Sequence, residues 1–186
     1  MAQSRRMPHT PRAKPPLDAG SLERLALRYV ERFATSRGKL AAYLDRKIRE
    51  RGWSGDAGPD PADIAERMAA RGYVDDRLFA EARVRSMARR GLGARRVSMA
   101  LRQDGIASDD AEDLAEAIEA DAVASAITFA RRRRLGPYAA EPADRELKHK
   151  QLSAFLRAGH SPQIALRILN MLPGEDPARL LEAGQA

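Results

Sequence analysis

Cysteine is absent from the 186 residues, which removes disulfides, thiolate zinc sites and cysteine nucleophiles and fits a reducing compartment. No run reaches the roughly 18 apolar residues that a membrane helix needs. The basic N-terminus lacks the apolar core of a secretory signal. A cytoplasmic chain with no membrane association is therefore expected. Strictly alternating apolar stretches are missing too, so strands are not predicted. Histidines number three, His9, His149 and His160, with no spacing that suggests metal ligands or a triad. A Gly-rich loop ending in Lys-Ser or Lys-Thr does not occur, which argues against ATP hydrolysis by this chain. No catalytic residues, metal ligands or cofactor are assigned, and the chain is not read as an enzyme.

Lysine is also scarce: 5 Lys stand against 28 Arg, and the net charge is +7 with pI near 10.2. Guanidinium offers a planar fork of donors suited to phosphate, carboxylate and stacked bases. An arginine-rich codon usage accounts for Arg over Lys but less well for the net charge, which favours a polyanionic partner such as nucleic acid.

Glycines give the organisation. Gly52, Gly105 and Gly159 each end an amphipathic stretch, at steps of 53 and 54 residues, and Arg37-Gly38 and Arg90-Gly91 keep the same 53-residue step. Self-similarity at one period marks an array of a small unit, and units of this size lean on their neighbours. Residues 1–20, with Pro8, Pro11, Pro15 and Pro16 among Arg5, Arg6, Arg12 and Lys14, are predicted to be a disordered basic tail. A first three-helix repeat covers 21–73, with Ser36 capping its second helix. A second covers 74–121, opened by Asp75 or Asp76, with Ser108 or Asp109 starting its last helix. A third, with a short C-terminal extension, covers 122–186, where Ser161-Pro162 supplies an N-cap followed by proline at the first helical position. The predicted fold is all-α: a tandem array of three three-helix repeats.

The segment GYVDDRLFAEARVRSMARRGLGARRVSMALRQDGI (72–106) and the upstream ALRYVERFATSRGKLAAYLDRKIRERGW (26–53) closely resemble the RecX family of bacterial regulators of the recombinase RecA. The resemblance spans about residues 22–172. It implies a curved and elongated monomeric array that binds RecA and its filaments on single-stranded DNA and suppresses filament extension, ATPase and recombinase activity, in DNA repair and the SOS response. Contact with nucleic acid is expected to be weak and largely non-specific. The family's characteristic stretch falls on Gly72, Tyr73, Asp75, Asp76, Phe79 and Ala80. A free-standing helical DNA-binding regulator is the rival, since three-helix units resemble helix-turn-helix modules. Few Asn, Gln or Ser residues follow the glycine junctions to read base edges.

Two adjacent carboxylates, Asp75 and Asp76, could hold a metal, but that needs more oxygen ligands than the local sequence supplies. The structural reading is preferred: Gly72 stops one helix, aspartate caps the next, and Tyr73 with Phe79 staples the entry into the core. Arg89, Arg90, Arg95 and Arg96 flank Gly91-Leu92-Gly93 just before a helix N-terminus, where free backbone N–H groups attract anions. Arg37 and Lys39 hold the equivalent place one repeat earlier. Recurrence with the fold favours partner contact over a solvated cluster. Arg131, Arg132, Arg133 and Arg134 wrap a helix end, serving the helix dipole or a phosphate equally well. Residues 104–121 hold eight acidic side chains (Asp104, Asp109, Asp110, Glu112, Asp113, Glu116, Glu119 and Asp121) and no basic one, a face for solvent or for basic protein. Trp53 could stack on a base but reads better as the apolar contact beyond a helix end.

Overall fold

The computed structural model describes residues 14–106, 111 and 113–182. Among them lie ten α-helices: α1 (Ala19–Val30), α2 (Arg37–Arg51), α3 (Pro61–Ala70), α4 (Asp76–Arg89), α5 (Ala94–Gln103), α6 (Ala115–Ala120), α7 (Ala122–Arg133), α8 (Arg145–Ala158), α9 (Pro162–Leu169) and α10 (Arg179–Glu182). One 3-10 turn, η1, spans Gly136–Tyr138. No strand occurs among the described residues. The helices begin where side-chain oxygens satisfy free amides: Ser36, Asp60, Asp75, Asp144 and Ser161 each accept an N–H from the first turn, and Pro61 and Pro162 follow two of these caps. The expected caps at Ser108 or Asp109 lie outside the described residues.

Apolar side chains segregate into three cores. Leu22, Leu40, Leu44, Ile64 and Met68 form the first, Ala80, Val84, Val97, Leu101 and Ile118 the second, and Ile127, Phe129, Phe155, Ala165 and Ile168 the third. The third carries the aromatic contact, with Phe129 and Phe155 edge to face at 4.8 Å.

The tail boundary at residue 20 is corrected. Residues 14–18 are not helical; the Leu17 N–H donates to the Gly52 carbonyl at 2.9 Å and the Ser54 N–H to the Leu17 carbonyl at 2.8 Å. Leu17 is fully buried in the first core, and that apolar burial offsets the entropy of fixing the segment. Asp18 opens α1 through a reciprocal capping box with Ser21, so the helix starts at Ala19, two residues before the predicted boundary.

The period glycines mark where units meet. The Gly93 N–H donates to the Ala158 carbonyl at 2.9 Å and the Arg95 N–H to the Gly159 carbonyl at 3.2 Å, so the start of α5 meets the end of α8. The approach is close enough that a Cβ on Gly93 would lie 2.4 Å from the Gly159 carbonyl. One unit earlier the start of α2 meets the end of α5: a Cβ on Gly38 would lie 2.6 Å from the Gly105 Cα, and the Ser36 hydroxyl donates to the Asp104 carbonyl. At the end of α2 the Leu17 segment takes the corresponding place.

Candidate nucleic-acid interface

Four of the ten candidate cations change character or surroundings once the chain is folded. Arg37 is turned inward: its backbone N–H donates to Asp76 Oδ1 at 2.7 Å and its Nε to Asp76 Oδ2 at 3.0 Å, while Nη1 reaches Glu66 at 3.0 Å. Asp76 and then Glu66 raise the Arg37 pKa further, so the guanidinium stays charged. Lys39 Nζ meets Asp104 Oδ1 at 2.9 Å. Both cations thus pair with carboxylates of the second unit: Arg37 is taken up in joining units, whereas Lys39, held by one carboxylate oxygen, keeps a partly exposed ammonium with donors to spare. The second change concerns Arg95 and Arg96. They are exposed, but the α5 N-terminus beside them has its Gly93 and Arg95 amides already taken by the Ala158 and Gly159 carbonyls.

Three of the remaining six cations converge. Arg90, at the end of α4, lies with Arg132 and Arg133, at the end of α7, around Leu92 and Phe129 in a cleft of about 480 Å³. The backbone brings them together: a Cβ on Gly91 would lie 2.7 Å from the Phe129 N, and the Ser125 hydroxyl donates to the Leu92 carbonyl at 2.7 Å. Arg133 sits over the Phe129 ring at 5.9 Å, and Arg131 over Tyr138 at 5.7 Å. Arg134 adopts a left-handed backbone with φ 54° at the end of α7, which turns the chain after three helical arginines. Arg89, Arg90, Arg95, Arg96 and Arg131 to Arg134 are all exposed. None forms an ion pair with a described carboxylate. A two-unit cleft of guanidinium groups with no described carboxylate partner is chemically suited to phosphate.

Below this cleft lies a residue the sequence left without a role. His160 is buried, its Nε2 3.0 Å from the Gly91 carbonyl, and its ring touches Phe129 and Phe155 with centroids 5.3 and 5.4 Å away. A carbonyl only accepts, so Nε2 carries the hydrogen. Burial pushes the imidazole below its usual 6.5, against the smaller opposing effect of the Gly91 hydrogen bond.

The family motif divides its labour. Asp75 caps α4 by accepting the Leu78 N–H at 2.8 Å, and Asp76, 8% exposed, holds Arg37. Each carboxylate is used for a different purpose, and a shared metal position between them is not formed. The predicted staple is half present: Phe79 packs against the second core, whereas Tyr73 is 53% exposed. The acidic face is also smaller than expected. Asp104 is buried between Lys39 and Arg83, with Arg83 Nε 3.0 Å from Oδ2, while Asp113, Glu116, Glu119 and Asp121 are exposed. Asp109, Asp110 and Glu112 lie outside the described residues. Trp53 donates from Nε1 to the Ala57 carbonyl at 2.7 Å and packs on the first core, so its place is structural. Nothing local in the sequence marks Asp76 or Asp104 as anchors, since their partners lie 39 and 65 residues away.

Comparison with known proteins gives a consistent picture. Residues 75–114 match the family model described as RecX, second three-helix domain. The chain is 30% identical over 160 residues to the regulatory protein RecX of Myxococcus xanthus, covering 82% of this chain and 86% of that protein. It is 35% identical over 137 residues to the RecX of Halorhodospira halophila, covering 72% and 77%. The crystal structure of RecX from Lactobacillus salivarius superposes with a TM-score of 0.59 at 20% identity, covering 88% of this chain and 96% of that one. At that identity the likeness speaks for the helical-repeat fold alone.

Proposed function

The chain belongs to the RecX family of regulatory proteins, and from that premise we propose that it binds RecA and RecA filaments on single-stranded DNA. There it restrains filament extension, ATP turnover and recombinase activity, within DNA repair and the SOS response. It acts as a monomer and by binding, favouring one state of the filament over another. The observation that carries this reading is the cleft of Arg90, Arg132 and Arg133, which spans two repeats and holds three guanidinium groups with no carboxylate partner among the described residues. A cleft shared between units suits a partner that is itself a polyanionic polymer.

The test is RecA ATPase and filament length on single-stranded DNA, titrated with the wild-type chain and with the Arg90→Glu, Arg132→Glu, Arg133→Glu triple variant. The wild type lowers both. The triple variant loses inhibition, and the slope of log affinity for single-stranded DNA against log salt falls by roughly 2 for three lost phosphate contacts. A wild type without effect on ATPase or length overturns the function. Full inhibition by a folded triple variant removes the cleft from it.

A further inference from the structure

A second surface lies on the other half of α4. Tyr73, Leu78 and Phe79 line a groove of about 690 Å³ with Thr35, Lys39 and Arg83. Leu78 is 60% exposed and Tyr73 53%, and Phe33, beside the groove's Ala34 in sequence, is 56% exposed. These are the largest exposures of leucine and aromatic side chains in the first two units. Their clustering at one groove, rather than singly over the surface, marks a contact site. Leu78 contributes little to the core from this position, and Tyr73 serves there only in part as a helix staple.

We propose that this groove docks an apolar segment of a partner protein that carries carboxylates. The apolar walls take the hydrophobic side chains. Lys39 and Arg83 take the carboxylates, since both are partly exposed and share the single Asp104 carboxylate beneath them. Arg83 meets Asp104 through Nε, and a guanidinium carries four further N–H donors. Asp75, at the α4 N-terminus, holds the Leu78 amide and lies about two turns ahead of Arg83, which stands mid-helix. The groove is therefore polarised along α4, with its cationic side toward the helix C-terminus. A nucleic acid strand fits less well: the Lys39 ammonium lies over the Phe79 ring at 5.9 Å, where a base would stack, and a phosphate backbone would meet Asp75. The chain's own N-terminal tail is unsuited, because residues 1–13 hold Arg5, Arg6 and Arg12 and no acid.

Position along α4 links the two surfaces. Phe79, Arg83, Ser86 and Arg90 follow at steps of four, three and four residues, so they share one helix face over about 16 Å. The apolar groove and the arginine cleft are successive stations on that face. The inference deepens the regulator reading by naming where a protein partner sits, yet it stands without the arginine cleft.

The test uses the full ¹⁵N-labelled chain and two amphipathic peptides about 14 residues long. Both carry Leu and Phe on one helical face, and the other face is all Glu in one and all Lys in the other. Resonances of Lys39, Tyr73, Leu78, Phe79 and Arg83 should shift, with the Glu peptide binding at least about tenfold tighter than the Lys peptide. Leu78→Glu should weaken the Glu peptide by about tenfold or more with Tm unchanged. The Arg90→Glu, Arg132→Glu, Arg133→Glu variant should bind it as wild type does, which separates this site from the proposed cleft. Equal binding of both peptides, shifts mapping elsewhere, or Leu78→Glu without effect would overturn the proposal. So would oligothymidylate shifting the groove resonances, or a concentration-dependent dimer that Leu78→Glu abolishes.

Discussion

Asp75 and Asp76 are chemically identical neighbours that meet different fates because the chain turns into α4 between them. Asp75 stays at the helix mouth and satisfies the Leu78 amide, and Asp76 points back to the Arg37 amide and guanidinium. Urea unfolding should show Asp75→Ala costing about 1 kcal/mol, the usual loss of a cap. Asp76→Ala should cost about 2 kcal/mol or more, because hydrogen bonds to a charged group are lost and the Arg37 amide is left without its acceptor. Equal costs would mean that Asp76 is only a second cap. His160 gives a prediction in pH. Its folded pKa lies below 6.5, so below that pH the unfolded chain takes up a proton that the folded one refuses. Stability therefore falls as pH drops from 6.5 toward the folded value and levels off beneath it. In His160→Gln that segment of the stability–pH curve should flatten, whatever the variant's absolute stability. An unchanged slope would assign the acid sensitivity to other groups.

At the scale of elements, α2, α5 and α8 meet end to start through glycine. Chemical periodicity at 53 residues is visible in the sequence, but the contacts it makes are not symmetrical. The α2–α5 joint uses side chains, with Lys39 and Asp104 flanking Gly38 and Gly105. The α5–α8 joint uses backbone hydrogen bonds around Gly93 and Gly159. A methyl group at Gly38 or Gly93 meets backbone atoms of the next unit, which cannot move aside as a flexible side chain does. Gly38→Ala and Gly93→Ala should each lower stability by about 1–3 kcal/mol in thermal unfolding. Gly58→Ala, where open space surrounds the position, should sit near zero. A tolerant Gly93→Ala would mean that the joint is looser than the backbone contacts imply.

For the whole molecule, three apolar cores are strung on polar and glycine joints rather than merged into one. Such an array has ends, and exposed ends of repeats are weak points. Leu17 and its two backbone hydrogen bonds cover the end of α2. Leu17→Ala should lower stability by about 3 kcal/mol, as for other fully buried leucines. Leu172→Ala, at a side chain 59% exposed, is the matched control and should change little. Equal, small effects would show that the segment merely lies against the fold.

The helices, their caps and the repeat could be read in the sequence because they depend on neighbours within a turn or two: Ser36, Asp75 and Ser161 act on amides three residues ahead, and apolar spacing reports one face of one helix. The cationic junctions could be read as composition, and Arg90 with Arg131 to Arg134 as candidates. Which arginines are free was decided only by tertiary structure. Arg37 and Arg90 stand at the same point of the 53-residue step, yet Arg37 has Asp76 and Glu66 within reach while Arg90 faces Arg132 and Arg133. The difference lies in carboxylates contributed by segments far along the chain, and charge pairing depends on distance in space, which a one-dimensional pattern does not contain.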